Sequence, residues 1–309
     1  MGHATRCVPV IRKLAQNNTV ILGITPLTRT ILEVEFPELK KIYVPSYNIR
    51  YSNILPVWSK LLFDWPRIRR IIRAERELIE RIAEDEKIDV VISDSRFGLH
   101  TKAAYSVFIT HQLFLKAPFA ADFAQAINKR YIKNFNEVWV PDFADLNSSL
   151  SGELSHGRHY HPNVKYIGPL SRLEPTAGVE IKYDYLLLPS GPEPHHQILA
   201  NAMLAEAARF PETKFAFCSY LIKAPGTNNV SSFYDPSSDK LTQLIAESRV
   251  VVCRSGYSTL MDLHQLQKNN LILIPTPGQT EQEYLAMYWL QKSDKHVLIK
   301  KSGNLFSEH

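Results

Sequence analysis

The sequence is poor in glycine and cysteine and lacks long apolar runs, and each shortage narrows the class of protein. Its 309 residues include only 12 glycines, so each glycine marks a position where the backbone has a specific need. The three cysteines (Cys7, Cys218 and Cys253) form no CxxC pair and are too few for a disulfide framework, which predicts reduced thiols in a cytoplasmic protein. No apolar run approaches the ~20 residues that cross a bilayer. A hydrophobic content of 45% with 22% charged residues excludes a disordered chain.

The net charge of +5 is distributed unevenly along the chain. Residues 1–170 contain 23 Lys and Arg against 17 Asp and Glu, whereas residues 171–309 contain 13 against 14. We therefore expect two domains with different partners.

Part of the basic excess lies in residues 60–73, where cations alternate with Phe63, Trp65 and aliphatic side chains. This segment is typical either of a solvated helix that packs on a sheet or of a surface that binds anionic lipid. No nucleic-acid-binding motif accompanies it, so we expect no nucleic-acid partner. The cations are Lys60, Arg67, Arg69, Arg70 and Arg73.

Short runs of β-branched and other apolar residues recur along the chain and alternate with stretches of helical spacing. Continuous apolar runs are typical of parallel strands that are covered on both faces. The alternation predicts an α/β protein with two doubly wound, Rossmann-like domains. The predicted strands are 20–24, 41–44, 89–94, 105–110, 137–140, 185–188, 214–217, 249–253, 271–274 and 296–299, and the clearest helices are 68–88, 195–210 and 280–292.

The domain boundary is predicted near Gly168 and Pro169. The polar stretch 171–182 has no period and contains Pro175 and Gly178, so we expect a linker between a domain of residues 1–170 and a domain of residues 183–309. The chain enters a turn and a helix almost directly from Met1, so the first strand of a doubly wound domain is expected to be missing.

Two candidate ligand loops contain glycine. One follows a predicted strand, and the other lies where the missing first strand would end. Open α/β sheets bind ligands at the carboxyl ends of their strands. Residues 2–6 contain His3, a candidate general base, and precede a helix; the alternative is a disordered terminus. Residues 190–194 contain Ser190 and Gly191, whose backbone N–H groups suit a diphosphate at a helix N-terminus; the alternative is an ordinary turn.

A third candidate loop combines Arg254 with small and hydroxyl-bearing residues. The arginine suits a phosphate, and Asp262 suits ribose hydroxyls, whereas capping of a helix is the alternative role of Ser258. A fourth loop, 275–282, offers amides and a carboxylate to a hexose, and a helix that simply starts at Thr280 is the alternative. The candidate residues of these two loops are Arg254, Ser255, Gly256, Ser258, Thr259, Asp262, Gln279, Glu281 and Gln282.

Other polar residues end predicted strands or cluster in sequence. Asp94 and His111 end two strands of the first half, where they are candidates for orienting an acceptor hydroxyl, although capping is as good a role for Asp94. The histidines 156, 159 and 161 have no cysteine or carboxylate partner at zinc-ligand spacing, so we expect no metal site.

Together these loops resemble the nucleotide-sugar signature of GT-B glycosyltransferases, most closely family 28 and its relatives. The resemblance is specific in the last ~60 residues, where Arg254-Ser255-Gly256, Asp262 and residues 275–282 occur in the family's order. Residues 2–6 resemble the family's acceptor-side glycine–histidine loop. The resemblance implies two Rossmann-like domains that face a cleft, a nucleoside diphosphate sugar as donor substrate, and no tightly bound cofactor or metal.

The resemblance also implies roles for individual residues. Ser190 and Gly191 match the loop that faces the diphosphate, and residues 254–259 match the turn that contacts phosphate. Asp262 stands where the family usually has a glutamate that holds the ribose. Glu281 and Gln282 match the acidic–glutamine pair that touches sugar hydroxyls, and His3 matches the base.

We therefore predict an inverting glycosyltransferase that moves a hexose from a nucleoside diphosphate sugar, with uridine as the expected nucleoside, to a hydroxyl of a lipid or small molecule. A nucleotide-sugar 2-epimerase of the same fold and a non-catalytic nucleotide-sugar-binding protein are the alternatives. A cytoplasmic protein that associates with an anionic membrane surface through residues 60–73 is expected.

Overall fold

The structure, a computed structural model, describes residues 2–47, 57–116, 121–157, 161–176, 178–191, 193–292 and 296–300. The chain divides into two compact units, Met1–Ser171 and Arg172–His309. The division falls next to the joint expected near Gly168, and the stretch expected as a linker opens the second unit. Both units alternate helices with parallel strands, as the apolar runs predict. No helix in the described ranges is both long and apolar enough to cross a membrane.

The first unit begins in a helix and contains six strands among its described residues. Its elements are α1 (Gly2–Ala15), β1 (Ile21–Ile24), α2 (Pro26–Glu35), β2 (Lys40–Tyr43), α3 (Val57–Asp85), β3 (Val90–Asp94), β4 (Tyr105–Ile109), α4 (Ala121–Ile132), β5 (Glu137–Val140) and β6 (Val164–Tyr166).

These strands form two parallel sheets, one of β1 and β2 and one in the order β3-β4-β5-β6. Within the described part of the unit no ladder joins the two sheets. Helix α1 packs on β1 and α2, with Val8, Ile24 and Phe36 in a shared buried cluster. The expectation that residues 2–6 form a loop is wrong, because they lie in the first turns of α1, where the Thr5 hydroxyl donates to the Gly2 carbonyl at 2.9 Å.

The basic segment lies in helix α3, which begins earlier than the predicted 68–88. Ile68, Ile72 and Glu75 are buried at helical spacing, so this face packs inward. Arg67, which precedes Ile68, and the three arginines between the buried positions (Arg69, Arg70 and Arg73) are exposed.

The second unit contains six strands and four helices among its described residues. They are β7 (Tyr183–Leu188), α5 (His195–Ala207), β8 (Phe215–Ser219), β9 (Val230–Tyr234), α6 (Ser238–Ala246), β10 (Ser248–Cys253), α7 (Tyr257–Gln265), β11 (Asn270–Leu273), α8 (Thr280–Leu290) and β12 (His296–Ile299).

All six strands of this unit form one parallel sheet in the order β12-β11-β10-β7-β8-β9. The chain builds outward from β7 in one direction and then outward from β10 in the other, which is the strand order of a doubly wound nucleotide-binding domain. Leu187, Phe215, Val252 and Ile272 are buried between the sheet and its helices, together with Met203 of α5. In such a sheet the ligand crevice forms where the order reverses, at the carboxyl ends of β7 and β10.

All ten predicted strands are present, with ends shifted by at most two residues. Two observed strands, β6 and β9, were not predicted. Strand β6 is only three residues long, and β9 has Ser231 and Ser232 at its centre, so neither has an apolar run.

Candidate active site

The predicted diphosphate loops lie at the point where the strand order of the second unit reverses. Strands β7 and β10 are neighbours, with Leu188 opposite Cys253, so the segments that begin at residues 189 and 254 leave the same edge side by side. Gly191 has a φ of +110°, a conformation that side-chain-bearing residues rarely adopt. Its carbonyl accepts a hydrogen bond of 3.1 Å from the Tyr220 hydroxyl, which fixes the loop from the direction of β8.

Arg254 is a buried cation without an acidic partner in the described part of the unit. One Nη donates to the carbonyls of Ile274 and Pro275 at 3.0 Å each, and the other donates to the carbonyl of His195 at 3.3 Å. Its Nε is buried without a hydrogen-bond partner. Burial lowers the pKa of Arg254 to about 10. The guanidinium thus ties β11 and α5 together and leaves its positive charge without a counter-ion.

His196 lies beside this cation in the first turn of α5. Its Nε2 is 2.9 Å from the Ser219 hydroxyl, its ring contacts Tyr220 edge-on with centroids 4.9 Å apart, and its Nδ1 is buried without a partner. Burial lowers the pKa of His196, and the charge of Arg254 adds to this effect against that of Glu193. The sequence prediction missed His196 and Tyr220; a His pair directly after the Gly191 loop was the available signal.

Three helices of the second unit begin at this edge of the sheet without a side-chain cap. The residues at the cap positions of α5, α7 and α8 are Pro194, Gly256 and Gln279, and none of them makes a capping bond. By contrast, Ser237 caps α6 through its side chain. The positive ends of three helix dipoles therefore point toward the ends of β7, β10 and β11, which favours an anion there.

The remaining predicted donor residues fall into two groups. Gly256, not Ser258, is the cap residue of α7, and Ser258 and Thr259 lie half-buried in its first turn, with Asp262 one turn further along. Ser190 is half-buried after β7, and Glu281 is half-buried in the first turn of α8.

The second group consists of Ser255, Gln279 and Gln282, whose hydrogen bonds hold one loop in place. The Gln282 side-chain oxygen accepts from the Thr276 N–H and hydroxyl, at 3.0 Å each, and its amide nitrogen donates to Gln279 at 2.6 Å. The Ser255 hydroxyl donates to the Gln282 carbonyl at 2.7 Å. These side chains hold the β11–α8 loop against the start of α7, so Gln282 and Ser255 position the loop in this geometry.

In the first unit, His3 of α1 meets Asp94 at the carboxyl end of β3. The His3 Nδ1 is 3.3 Å from both carboxylate oxygens, and 60% of the His3 side chain is exposed. A carboxylate only accepts hydrogen bonds, so Nδ1 carries the proton and Nε2 keeps its lone pair. An exposed imidazole oriented by a buried carboxylate is the arrangement of a general base.

The Asp94 carboxylate also binds Arg6, and Arg6 in turn binds His111. Arg6 donates through Nε to Asp94 at 2.9 Å and through Nη2 to the other carboxylate oxygen, and its Nη1 is 3.0 Å from the His111 Nδ1. Burial alone would raise the pKa of Asp94, but the charges of Arg6 and His3 and their hydrogen bonds outweigh it and hold that pKa far below its usual range. The structure thus brings together the three residues predicted in this unit (His3, Asp94 and His111) and adds Arg6, which the prediction did not select.

The described histidines of the sequence cluster 156–161 make bonds to the backbone. His156 Nε2 is 3.1 Å from the Phe143 carbonyl, and His161 Nε2 is 3.0 Å from the Phe135 carbonyl. His159 lies outside the described residues. No group of three or more potential metal ligands occurs in the part of the chain that the structure describes.

Comparisons with known proteins find similar folds for nearly the whole chain and a family model that matches part of the sequence. Residues 212–301 match the model of the glycosyltransferase family 28 C-terminal domain. The structure of a spinosyn rhamnosyltransferase complexed with thymidine diphosphate is similar, with a TM-score of 0.62 and 12% identity over 96% of this chain and 83% of the other. No protein of curated function matches by sequence.

Two further solved structures share the fold. MurG of Acinetobacter baumannii aligns with a TM-score of 0.52 and 11% identity over 97% of this chain and 83% of the other. A UDP-GlcNAc 2-epimerase from Neisseria meningitidis, bound to UDP-GlcNAc, aligns with a TM-score of 0.52 and 15% identity over 98% of this chain and 93% of the other.

These findings confirm the predicted resemblance. The structural likenesses show the GT-B fold with two Rossmann-like domains, and the family model identifies a glycosyltransferase domain in the second unit. The chain therefore has the GT-B fold, and residues 212–301 of its second unit are similar to the C-terminal domain of glycosyltransferase family 28.

Proposed function

We propose that this protein transfers a hexose, with inversion, from a uridine diphosphate sugar to a hydroxyl of a lipid or small-molecule acceptor. The main support for the donor site is Arg254, which is a buried cation without a counter-ion among the described residues and lies where the strand order reverses. A diphosphate placed there gains the charge of Arg254 and the dipoles of α5, α7 and α8. The same groups stabilise the negative charge that develops as the nucleoside diphosphate leaves.

The proposed base is His3. Its Nε2 takes the proton of the acceptor hydroxyl while that oxygen attacks the anomeric carbon and the bond from this carbon to the diphosphate breaks. The imidazolium that forms keeps its Nδ1–H directed at Asp94, whose negative charge stabilises it. Asp262 and Glu281 are the remaining polar candidates for the ribose and the sugar hydroxyls.

Two other functions are compatible with the same fold. The likeness to a UDP-GlcNAc 2-epimerase favours a nucleotide-sugar 2-epimerase as the first of these. A non-catalytic nucleotide-sugar-binding protein would bind its ligand at the edge of the sheet where Arg254 lies and would not use His3 as a base. Both alternatives predict donor binding, so transfer of the sugar to an acceptor hydroxyl is the measurement that separates a transferase from them.

Donor binding is tested by thermal denaturation of the full chain with UDP, TDP, GDP and ADP and with their sugar conjugates. A ligand at about 100 times its dissociation constant stabilises a protein by about 2.7 kcal/mol. We expect UDP and UDP-hexoses to shift the transition most. A panel in which no nucleotide shifts the transition contradicts the donor site.

Catalysis is tested by UDP release from the best UDP-hexose with a panel of hydroxyl acceptors. His3→Gln should lower kcat by about 10²- to 10⁴-fold, the usual contribution of a general base, and leave donor affinity unchanged. His296→Gln, an exposed histidine of β12, is the matched control. Unchanged turnover in His3→Gln removes it as the base, and a product that retains the donor's anomeric configuration contradicts inversion.

We also propose that α3 contacts anionic lipid through Arg67, Arg69, Arg70 and Arg73. All four are exposed, and none forms an ion pair with a described residue. Each such residue near an anionic surface contributes about 1 kcal/mol. The double variant Arg69→Gln/Arg70→Gln should co-sediment less with phosphatidylserine-containing vesicles than the control Arg209→Gln/Arg249→Gln. Binding that does not depend on phosphatidylserine contradicts the proposal.

A further inference from the structure

Arg6 is the most deeply buried charged side chain of α1. Only 1% of its side chain is exposed. Its Nε and Nη2 hold the two oxygens of Asp94 in a fork, Nη2 also donates to the Ser95 hydroxyl at 3.1 Å, and Nη1 faces the His111 Nδ1 at 3.0 Å. A planar guanidinium with two bonds to one carboxylate fixes both the position and the plane of that carboxylate.

The partners of Arg6 have their protonation restricted by these bonds. An arginine only donates, so the His111 Nδ1 must accept and carries no proton while the bond is made. Ser95 has a φ of 55°, which is uncommon for a non-glycine residue and keeps its hydroxyl against both Arg6 and Asp94. The carboxylate is therefore held from the side opposite to solvent by neutral and cationic groups.

The same carboxylate faces His3 on its exposed side, so two positive groups compete for one negative charge once His3 is protonated. Among the described residues, the titratable groups that face Asp94 are His3, Arg6 and Cys7 of α1, with His111 behind Arg6. The Cys7 Sγ is 3.5 Å from the carboxylate, and burial followed by the charge of Asp94 raises its pKa, so it stays a neutral thiol.

We infer that Arg6 is a positioning residue that orients Asp94 toward His3 and offsets its charge, so that His3 can accept the proton of the acceptor hydroxyl. This inference rests on the proposed role of His3 as the base. Arg6 does not contact the substrate in this scheme and acts only through Asp94. Without Arg6, the carboxylate turns freely and stabilises the protonated imidazole more strongly.

The experiment compares Arg6→Gln and Arg6→Lys with the wild type and with Arg12→Gln. Arg12 is the matched control because it lies on the same helix and pairs with a carboxylate, Glu35, at 2.6 Å on the surface. We expect Arg6→Gln to lower kcat about ten- to a hundred-fold at neutral pH with little change in donor KM, and to move the acid limb of the pH profile upward. Arg6→Lys keeps the charge but not the fork, so it should recover the pH profile and only part of kcat.

Two further measurements separate this inference from a structural role and from the proposed function. In the Asp94→Asn background the Arg6→Gln change should cost no further activity, because the residue acts through that carboxylate. The midpoint of the His3 imidazole titration, followed by NMR in the histidine-labelled full chain, should rise in Arg6→Gln and stay unchanged in Arg12→Gln.

Each outcome has one meaning. A His3 midpoint that Arg6→Gln leaves unchanged, or a loss of activity that is equally large without Asp94, overturns the role of Arg6. If circular dichroism shows that Arg6→Gln does not fold, Arg6→Lys is compared with the wild type instead. A kcat of Arg6→Lys equal to that of the wild type would mean that the two-bond contact of Arg6 with Asp94 is not needed, and would overturn the inference. A wild type without sugar transfer, or a fully active His3→Gln, overturns the proposed function instead, and the NMR midpoint still decides the inference on Arg6.

Discussion

At the scale of single residues, the two arginines that are buried in the described part of the chain are compensated in different ways. Arg6 has a carboxylate within its fork, whereas Arg254 has only backbone carbonyls and an Nε without a partner. A buried cation costs free energy unless an anion compensates it. Arg6 is therefore complete within the protein, and Arg254 gains most from an anion supplied by a ligand.

Arg254→Met should therefore weaken binding of UDP much more than binding of uridine. Hydrogen bonds to charged groups contribute about 1.5–3 kcal/mol, which corresponds to about a ten- to hundred-fold loss in UDP affinity. Calorimetric titration of both ligands measures the difference, and Arg254→Lys should retain part of the UDP affinity. Equal losses for uridine and UDP would mean that Arg254 only holds the β11 and α5 loops together.

Asp94 predicts how stability depends on pH. The pKa of Asp94 is far lower in the native state than the usual value of about 3.9. At acidic pH the unfolded chain therefore binds a proton on this carboxyl that the native state does not bind. The free energy of unfolding should therefore be constant near neutrality and fall as the pH drops below about 5. Asp94→Asn should flatten this fall and lower stability near neutrality by about 3–5 kcal/mol, because Arg6 stays buried without its partner.

Urea unfolding at a series of pH values measures this effect, with tryptophan fluorescence as the signal because three of the four tryptophans lie in the first unit. Asp122→Asn, at an exposed position of α4, is the control and should keep the wild-type slope. A slope in Asp94→Asn equal to that of the wild type would refute the linkage.

At the scale of elements, the turn after β3 is fixed by a close approach to α3. Gly98 donates its N–H to the Glu75 carboxylate at 3.0 Å, and the Tyr47 hydroxyl donates to the same oxygen at 2.9 Å. A Cβ at Gly98 would lie 2.3 Å from the Ile72 carbonyl oxygen, which is a backbone atom of α3. The turn that carries Asp94 toward α1 is therefore held in place by contacts that admit only glycine.

Gly98→Ala should destabilise the first unit by about 3 kcal/mol, since overpacking against backbone forces the helix or the turn to move. Thermal denaturation with near-ultraviolet circular dichroism measures the loss. Gly226→Ala is the control, because a Cβ there meets nothing within 4 Å. If both variants melt together, the close approach at Gly98 does not constrain the turn.

The way the elements are built explains which features could be predicted from the sequence and which could not. Continuous apolar runs marked ten strands because both faces of a parallel sheet are covered, but β9 was missed because its two central serines interrupt the run. His3, Asp94 and His111 were selectable because each stands at an element end. Arg6 was not, because its partner lies 88 residues away and nothing local distinguishes it from a surface arginine.

At the scale of the whole molecule, the features on which the proposed function rests are distributed over both units. The second unit contains the matched family domain, the reversal of strand order and Arg254. The first unit contains His3 with its supporting carboxylate and all of the basic excess. We infer that donor affinity is a property of the second unit and proton transfer a property of the first.

Hydrogen exchange of the full chain tests this division. UDP at about 100 times its dissociation constant should slow exchange most in peptides that contain residues 186–196 and 251–260, because these amides lie at the ends of β7 and β10. The free energy of opening of these amides should rise by up to about 2.7 kcal/mol. Peptides of β3 and β4 should gain less. Uridine at the same concentration is the control, since it lacks the diphosphate that Arg254 and the helix N-termini favour. Equal protection of both units by UDP, or equal protection by uridine, would show that the diphosphate is not bound at this edge of the second unit.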